Sequence, residues 1–167
     1  MSACNHKNCN KGCQEKLSRI NENLKSDNVS FVYVQDKEIP FIYTVGLAPK
    51  YGCELIISGC MNPQMYASIM NGIISGLQQD KNLYRKYKLL EVGFQDKKVE
   101  VRVSVACAEV SEHHRKESMY QAYSRFGDFV GVQILIPDGD MNHPGDENYD
   151  DRAPQEDFSV GVWSRFA

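Results

Sequence analysis

The stretch Phe41–Ser58, FIYTVGLAPKYGCELIIS, decides the fold because it holds two apolar runs of strand length around a turn-forming segment. Both runs are rich in β-branched and aromatic residues, which favour strands. The second run, Glu54–Ser58, is short and almost continuously apolar, so we expect it to be buried on both faces of a sheet. Gly46 follows the first run, and a glycine there indicates either a bend or a close approach of the backbone to a ligand.

The chain on either side of this pair predicts further strands and helices. Phe31–Val34 and Phe41–Val45 flank a polar turn and predict a β-hairpin. Four alternating valines predict a half-buried strand over 99–105, paired with 89–94. Helical spacing predicts helices over 14–25, 62–77 and 111–126, and an apolar run predicts a last strand over 130–136. This order predicts an α+β fold with a mostly antiparallel sheet and helices packed on one of its faces.

The length of 167 residues suits a single domain with its own core. Residues 1–27 are predicted to be a polar segment containing cysteine and histidine, followed by a short helix. Residues 28–167 are predicted to form the α+β domain, ending in a long acidic loop region.

Composition limits the partners of this protein. The formal net charge of −3 argues against a nucleic-acid surface, which usually shows a basic face. No stretch approaches the roughly 18 apolar residues of a membrane span, and the N-terminus lacks the apolar core of a signal peptide. We therefore expect a cytoplasmic protein without a membrane partner. In that compartment the six cysteines are expected to be thiols or metal ligands rather than disulfides.

A cluster of soft ligands near the N-terminus is a candidate zinc site. Zinc is bound tetrahedrally by cysteine and histidine, and four such residues lie within residues 4–13. Their spacing differs from the common zinc-finger patterns, so a reduced terminus without metal is the alternative. The candidate ligands are Cys4, His6, Cys9 and Cys13.

The acidic segment after the last predicted strand is a candidate binding site. Carboxylates at close spacing can bind Mg²⁺ or Ca²⁺, although this spacing does not fit an EF-hand loop. The alternative is that Asp and Asn only stabilise turns there. The segment carries Asp138, Asp140, His143, Asp146, Glu147, Asp150 and Asp151.

Two separated stretches resemble a bacterial family known as domain of unknown function number 4262. FIYTVGL (41–47) and YGCELIISG (51–59) resemble its "YTVGL…GHPELVVSGL" signature, and VQILIPD (132–138) resembles its "VQVLWPD". Pro144-Gly145-Asp146, Tyr149-Asp150 and Gln155 resemble its "FPWDPGYD…Q" segment. The resemblance covers roughly residues 28–158 and implies a common fold and site location rather than a reaction.

This sequence departs from the family pattern at two places. Cys53 stands where the family commonly has histidine, and no tryptophan accompanies Pro137 or Pro144. Roles tied to those side chains are therefore not transferred to this chain.

The residues favour a binding protein over an enzyme, because the common nucleotide, hydrolase and metalloprotease motifs are absent. We expect a pocket for a small molecule or nucleotide between the YTVGL strand and the acidic loop. Such pockets are mostly apolar with a few placed polar groups. The candidate ligand-binding residues are Tyr43, Thr44, Gly46, Gln133, Asp138 and His143.

Two alternatives stay open. In a metal-assisted hydrolase, His143 would act as general acid or base, with Asp138 and Asp146 holding the metal or orienting the histidine. In an interaction module, including a homodimer, the N-terminal segment stiffened by zinc would provide the contact.

Overall fold

The structure is a computed structural model that describes residues 11–60, 62–152 and 154–166. The strands are β1 (Ser30–Val34), β2 (Phe41–Val45), β3 (Cys53–Ser58), β4 (Leu90–Asp96), β5 (Val99–Glu109) and β6 (Val130–Leu135). The helices are α1 (Lys11–Lys25), α2 (Ala48–Tyr51), α3 (Pro63–Gln79), α4 (Leu83–Lys86), α5 (Glu112–Glu117) and α6 (Tyr120–Phe126).

The described strands form a six-stranded sheet in the order β1-β2-β3-β6-β5-β4. β3 and β6 run parallel, and the other neighbouring pairs are antiparallel. The predicted α+β domain with a mostly antiparallel sheet is therefore confirmed. The hairpins β1–β2 and β4–β5 are confirmed as well.

Helices cover both faces of the sheet, so the expectation of helices on one face was wrong. α3 packs with Leu55 and Ile57 on one face, while Ile20 of α1 and Ala122 of α6 pack with Tyr43 on the other. The reason is that β2 and β3 are buried along their whole length. A strand that is apolar on both sides needs cover on both sides.

One predicted helix is divided in the structure. The segment predicted as a helix over 111–126 forms α5 and α6, which meet at Ser118 and Met119. Met119 is fully buried in the core beside β2, which turns the chain there. The short helices α2 and α4 were not predicted, because four residues are too few to show helical spacing.

After β6 the described chain forms no further helix or named strand, as predicted. Two isolated bridges pair it with Ala108 of β5 and with Val110, the residue after β5. This C-terminal segment returns across the sheet, where Phe158 packs edge-on against Phe41. Within the described ranges, no helix combines the length and hydropathy that a bilayer crossing requires.

Candidate functional site

The structure does not bring the predicted ligand-binding residues into a single site. Tyr43, Ile56 and Gln133 lie opposite one another in a row across β2, β3 and β6. β3 therefore lies between β2, which carries the YTVGL motif, and β6, which carries the VQILIPD motif.

Gly46 and Asp138 lie at opposite ends of the sheet. Gly46 is three residues beyond Tyr43, while Asp138 is five residues beyond Gln133 in the reverse direction. At about 3.3 Å per residue, these steps place them roughly 25 Å apart along the strands. A pocket shared by Gly46 and the acidic loop is therefore excluded by the register.

The turn after β2 closes around a buried carboxylate, Glu54. One Glu54 oxygen, Oε1, accepts the backbone N–H groups of Gly46, Leu47 and Ala48, each at 2.9 Å. The other oxygen accepts the hydroxyl of Thr44 at 2.6 Å. Successive N–H groups of this kind form an anion-binding nest, and here the anion is the protein's own side chain.

Gly46 is a bend in this turn rather than an opening for a ligand. Its φ is +127°, which side-chain-bearing residues rarely adopt, and an added Cβ would lie 3.3 Å from the carbonyl oxygen of Asn28. Thr44 also takes part in the bend, because its hydroxyl accepts the N–H of Leu55 at 2.9 Å where the β2–β3 ladder ends.

Glu54 is the functional group in this region that the sequence interpretation missed. Burial raises its pKa from 4.5 to about 7, against the opposing effect of the hydrogen bonds it accepts. The available signal was a lone carboxylate in an otherwise apolar strand, since buried charges are rare unless they are paired or hydrogen-bonded.

Tyr43 and Gln133 share one face of the sheet but serve as internal ties. The Tyr43 hydroxyl accepts the N–H of Gln121 at 3.2 Å, which joins β2 to α6. The Gln133 amide donates to the carbonyl of Glu156 at 2.6 Å and accepts the N–H of Phe158 at 3.0 Å. Gln133 thus fixes the returning C-terminal segment.

The Asp138 side chain holds the acidic loop together by accepting hydrogen bonds from the backbone of the loop. One carboxylate oxygen accepts the N–H groups of Asp140 and Asn142, and the other accepts the N–H of Asp150, all at 2.9 Å. Although desolvation raises the pKa of Asp138, these hydrogen bonds lower it overall. The geometry is that of a turn-stabilising aspartate.

His143 is buried and joins the loop to β5. Its Nε2 lies 2.8 Å from the carbonyl of Ser104, and its backbone N–H donates to Asp146 at 2.8 Å. Asp146 also pairs with Arg165 at 3.1 Å. The N–H of His143 and the charge of Arg165 contribute to the lowered pKa of Asp146.

Among the described residues, no three Cys, His, Asp or Glu side chains are arranged to hold a metal ion. Three of the four candidate zinc ligands, Cys4, His6 and Cys9, lie outside the described residues. Cys13 is disulfide-bonded, contrary to the expectation of thiols, while Cys53, Cys60 and Cys107 are free. Binding of zinc by the N-terminal cluster stays a prediction.

A cleft with a mixed polar and apolar lining lies between α1 and β1. Its volume is about 210 Å³. α1 contributes side chains spaced as one helix face, and Gln121 of α6 completes the lining. The lining residues are Lys16, Leu17, Arg19, Ile20, Asn23, Ser30, Phe31, Val32, Tyr33, Gln35 and Gln121.

Hydrogen bonds hold the walls of this cleft in place. The Asn23 side chain donates to the Ser30 hydroxyl at 2.9 Å, joining α1 to β1. Arg125 donates to Asn21 at 3.1 Å and to the carbonyl of Gln121 at 2.9 Å, joining α1 to α6. Because Gln121 also contacts Tyr43, the cleft is attached directly to the core of the sheet.

The cleft is positively charged although the whole chain is acidic. Lys16 and Arg19 line it, and the described lining residues include no Asp or Glu. Neither cation forms an ion pair with any residue in the part of the chain that the structure describes. The sequence does not show this site, because the meeting of α1 with β1 depends on packing rather than on a motif.

The fold and site define an α+β domain with a cleft of mixed polar and apolar lining beside an outer strand. The chain belongs to the family described as domain of unknown function (DUF4262), whose model matches residues 23–150. The predicted family is thereby confirmed. No curated protein and no solved structure matches the chain. The family description names no activity, so the function has to be inferred from the geometry.

Proposed function

We propose that this protein is a binding protein without catalysis, and that its ligand is a negatively charged molecule held between α1 and β1. The observation that carries this proposal is a cleft lined by two cations, Lys16 and Arg19, and by no carboxylate. Small anions and nucleotide phosphates are attracted to such a lining, and arginine can bind them with two hydrogen bonds.

The ordering of the site supports binding. Ligand sites are usually preformed, concave and supplied with a few placed polar groups. Here Ser30 and Gln121 are buried polar residues in the lining, and hydrogen bonds between α1, β1 and α6 fix the walls. A ligand would therefore meet a site that needs little reorganisation, which lowers the entropy lost on binding.

Metal-assisted hydrolysis receives less support. The oxygens of Asp138 accept backbone N–H groups, and His143 is buried against a carbonyl of β5. A general acid or base needs access to the reacting group, and neither side chain lines the cleft.

The test is a binding screen by calorimetry with inorganic pyrophosphate, ATP, citrate and a capped acidic peptide at low salt. The double variant Lys16→Gln/Arg19→Gln should weaken binding about tenfold or more, because two charge-assisted contacts are lost. The matched control is Lys11→Gln/Lys25→Gln, which removes the same charge from α1 outside the cleft.

Equal affinity in the two double variants would show that binding is not in the cleft. Failure of all four probes to bind the natural chain would overturn the proposal as well.

A further inference from the structure

The cleft follows the free edge of β1 rather than one face of the sheet. Side chains alternate between the two faces of a strand, so a pocket over one face is lined by every second residue. Here Ser30, Phe31, Val32 and Tyr33 all line the cleft. Val32 packs with the core on the α1 side, while Phe31 and Tyr33 pack against the opposite core. The cleft therefore contacts β1 along its backbone edge.

This edge has backbone groups available for pairing. Among the described strands, β1 is at the edge of the sheet and has β2 as its single neighbour. Within the described ranges, residues 31–34 have no recorded backbone hydrogen bond outside that ladder. An outer strand in this state can accept an additional strand through main-chain hydrogen bonds.

The charges beside the edge indicate the sequence of the added strand. Lys16 and Arg19 are three residues apart on α1, so their Cβ atoms lie roughly 5–6 Å apart. Alternate side chains on one face of an extended strand repeat every 6–7 Å or so. Acidic residues at alternate positions could thus pair with both cations.

The other face of the added strand would meet apolar surface. Phe31 and Tyr33 are half-buried and point to the side of β1 away from α1. Cross-strand neighbours on that face would gain from aromatic or β-branched side chains. The preferred segment therefore alternates acidic and apolar residues.

Resting on the proposed function, we infer that the ligand is an extended acidic peptide segment that adds to β1 as a seventh strand. The apposition of the open β1 edge with Lys16 and Arg19 carries this inference. A second copy of this chain fits less well, because its own β1, Ser-Phe-Val-Tyr-Val, carries no acid.

The experiment titrates the full-length, ¹⁵N-labelled protein with acetyl-Glu-Val-Glu-Val-Glu-Val-amide and follows amide resonances. We expect the largest shifts at residues 30–35 and 16–23. The peptide with Lys in place of Glu should bind at least tenfold more weakly. Lys16→Gln/Arg19→Gln should weaken binding of the acidic peptide about tenfold, and Lys11→Gln/Lys25→Gln is the control, which should leave this binding nearly unchanged.

Backbone pairing is tested with two N-methylated forms of the acidic peptide, one methylated at the Glu positions and one at the Val positions. The N–H groups of alternate residues point to opposite edges of a strand, so methylation of only one set should abolish binding. If both methylated forms bind as tightly as the unmethylated peptide, the inference that the peptide adds to β1 as a strand is overturned. The proposal of anion binding in the cleft would stand.

The remaining outcomes separate the two proposals. Binding of pyrophosphate, ATP or citrate in the cleft without binding of the parent peptide would overturn the peptide inference alone. Binding of no probe would overturn both proposals. The peptide-free protein could instead dimerise, with exchange-broadened resonances confined to residues 30–35. That result would assign the edge of β1 to a second copy of the chain and overturn the peptide inference.

Discussion

The turn around Glu54 and the cleft beside β1 differ in how their polar groups are satisfied. In the turn, three backbone N–H groups and the Thr44 hydroxyl all donate to one internal carboxylate. In the cleft, neither Lys16 nor Arg19 forms an ion pair with a described residue, and no described strand pairs with the outer backbone edge of β1. A glycine-containing turn after a strand is therefore not by itself a ligand site. The polar groups of the turn are used inside the fold, whereas Lys16 and Arg19 are exposed.

The largest expected effect is on the turn. Glu54→Ala removes the acceptor of four donors and leaves them buried, so the free energy of unfolding should fall by roughly 3–5 kcal/mol. Urea denaturation measures this change. Glu54→Gln keeps one carbonyl oxygen as an acceptor, so its free energy of unfolding should fall by less than that of Glu54→Ala. A loss below about 1 kcal/mol in Glu54→Ala would remove the distinction between the two regions.

The pH dependence of stability is expected to follow Glu54. Its pKa is raised by burial from 4.5 to about 7, so the folded state binds more protons than the unfolded state between those values. The associated stability is complete below about pH 4.5 and is lost as the pH rises through about 7. At about 1.4 kcal/mol per pKa unit, a shift from 4.5 to about 7 limits this loss to roughly 3–4 kcal/mol.

Urea midpoints from pH 4.5 to 8 measure this loss, and Glu54→Gln is the control. Desolvation lowers the pKa of His114, which acts in the opposite direction as the pH falls through its ordinary range. Because both proteins retain His114, the difference between their profiles isolates Glu54. Parallel profiles would contradict the assignment.

Gly46→Ala should lower the free energy of unfolding by about 2 kcal/mol. The substitution combines a φ of +127° with close contacts to Asn28 and Leu24. Gly52→Ala is the matched control, because Gly52 also has a positive φ but no atom within 4 Å of an added Cβ. The free energy of unfolding of Gly52→Ala should fall by only about 1 kcal/mol. Equal losses at the two positions would show that packing around Gly46 is unimportant.

The smallest effect on stability is expected in the cleft. Lys16→Gln/Arg19→Gln should change the free energy of unfolding by less than about 0.5 kcal/mol, because both side chains are exposed and form no ion pair with a described residue. Thermal denaturation without ligand measures this. A loss comparable to that of Gly46→Ala would mean that these cations stabilise the fold rather than bind a ligand.

Much of the local structure could be predicted from residue patterns. The helix predicted over 62–77 forms α3, and at its start the Asn62 side chain accepts the N–H of Gln64 as a helix cap should. The strands β2 and β3 were identified because β-branched and aromatic residues fit a buried, extended chain. These signals are local, since each depends on neighbours within a few residues.

The candidate site could not be predicted in the same way. Gly46 and Asp138 were expected together because both follow apolar strands, yet β3 lies between those strands and their ends point apart. Glu54 carried a usable signal, but its partners Gly46, Leu47 and Ala48 did not. A carboxylate in an apolar strand indicates a need for donors without identifying them.

The amino-acid pattern was sufficient for the family, the α+β class, the hairpins and the long loop after β6, because periodicity and turn chemistry act over short distances. Strand order and direction were decided in the folded molecule, where all apolar faces must be buried together. That long-range packing places α1 beside the outer edge of β1, fills the Gly46 turn with Glu54, and brings Lys16 and Arg19 to the cleft beside that edge.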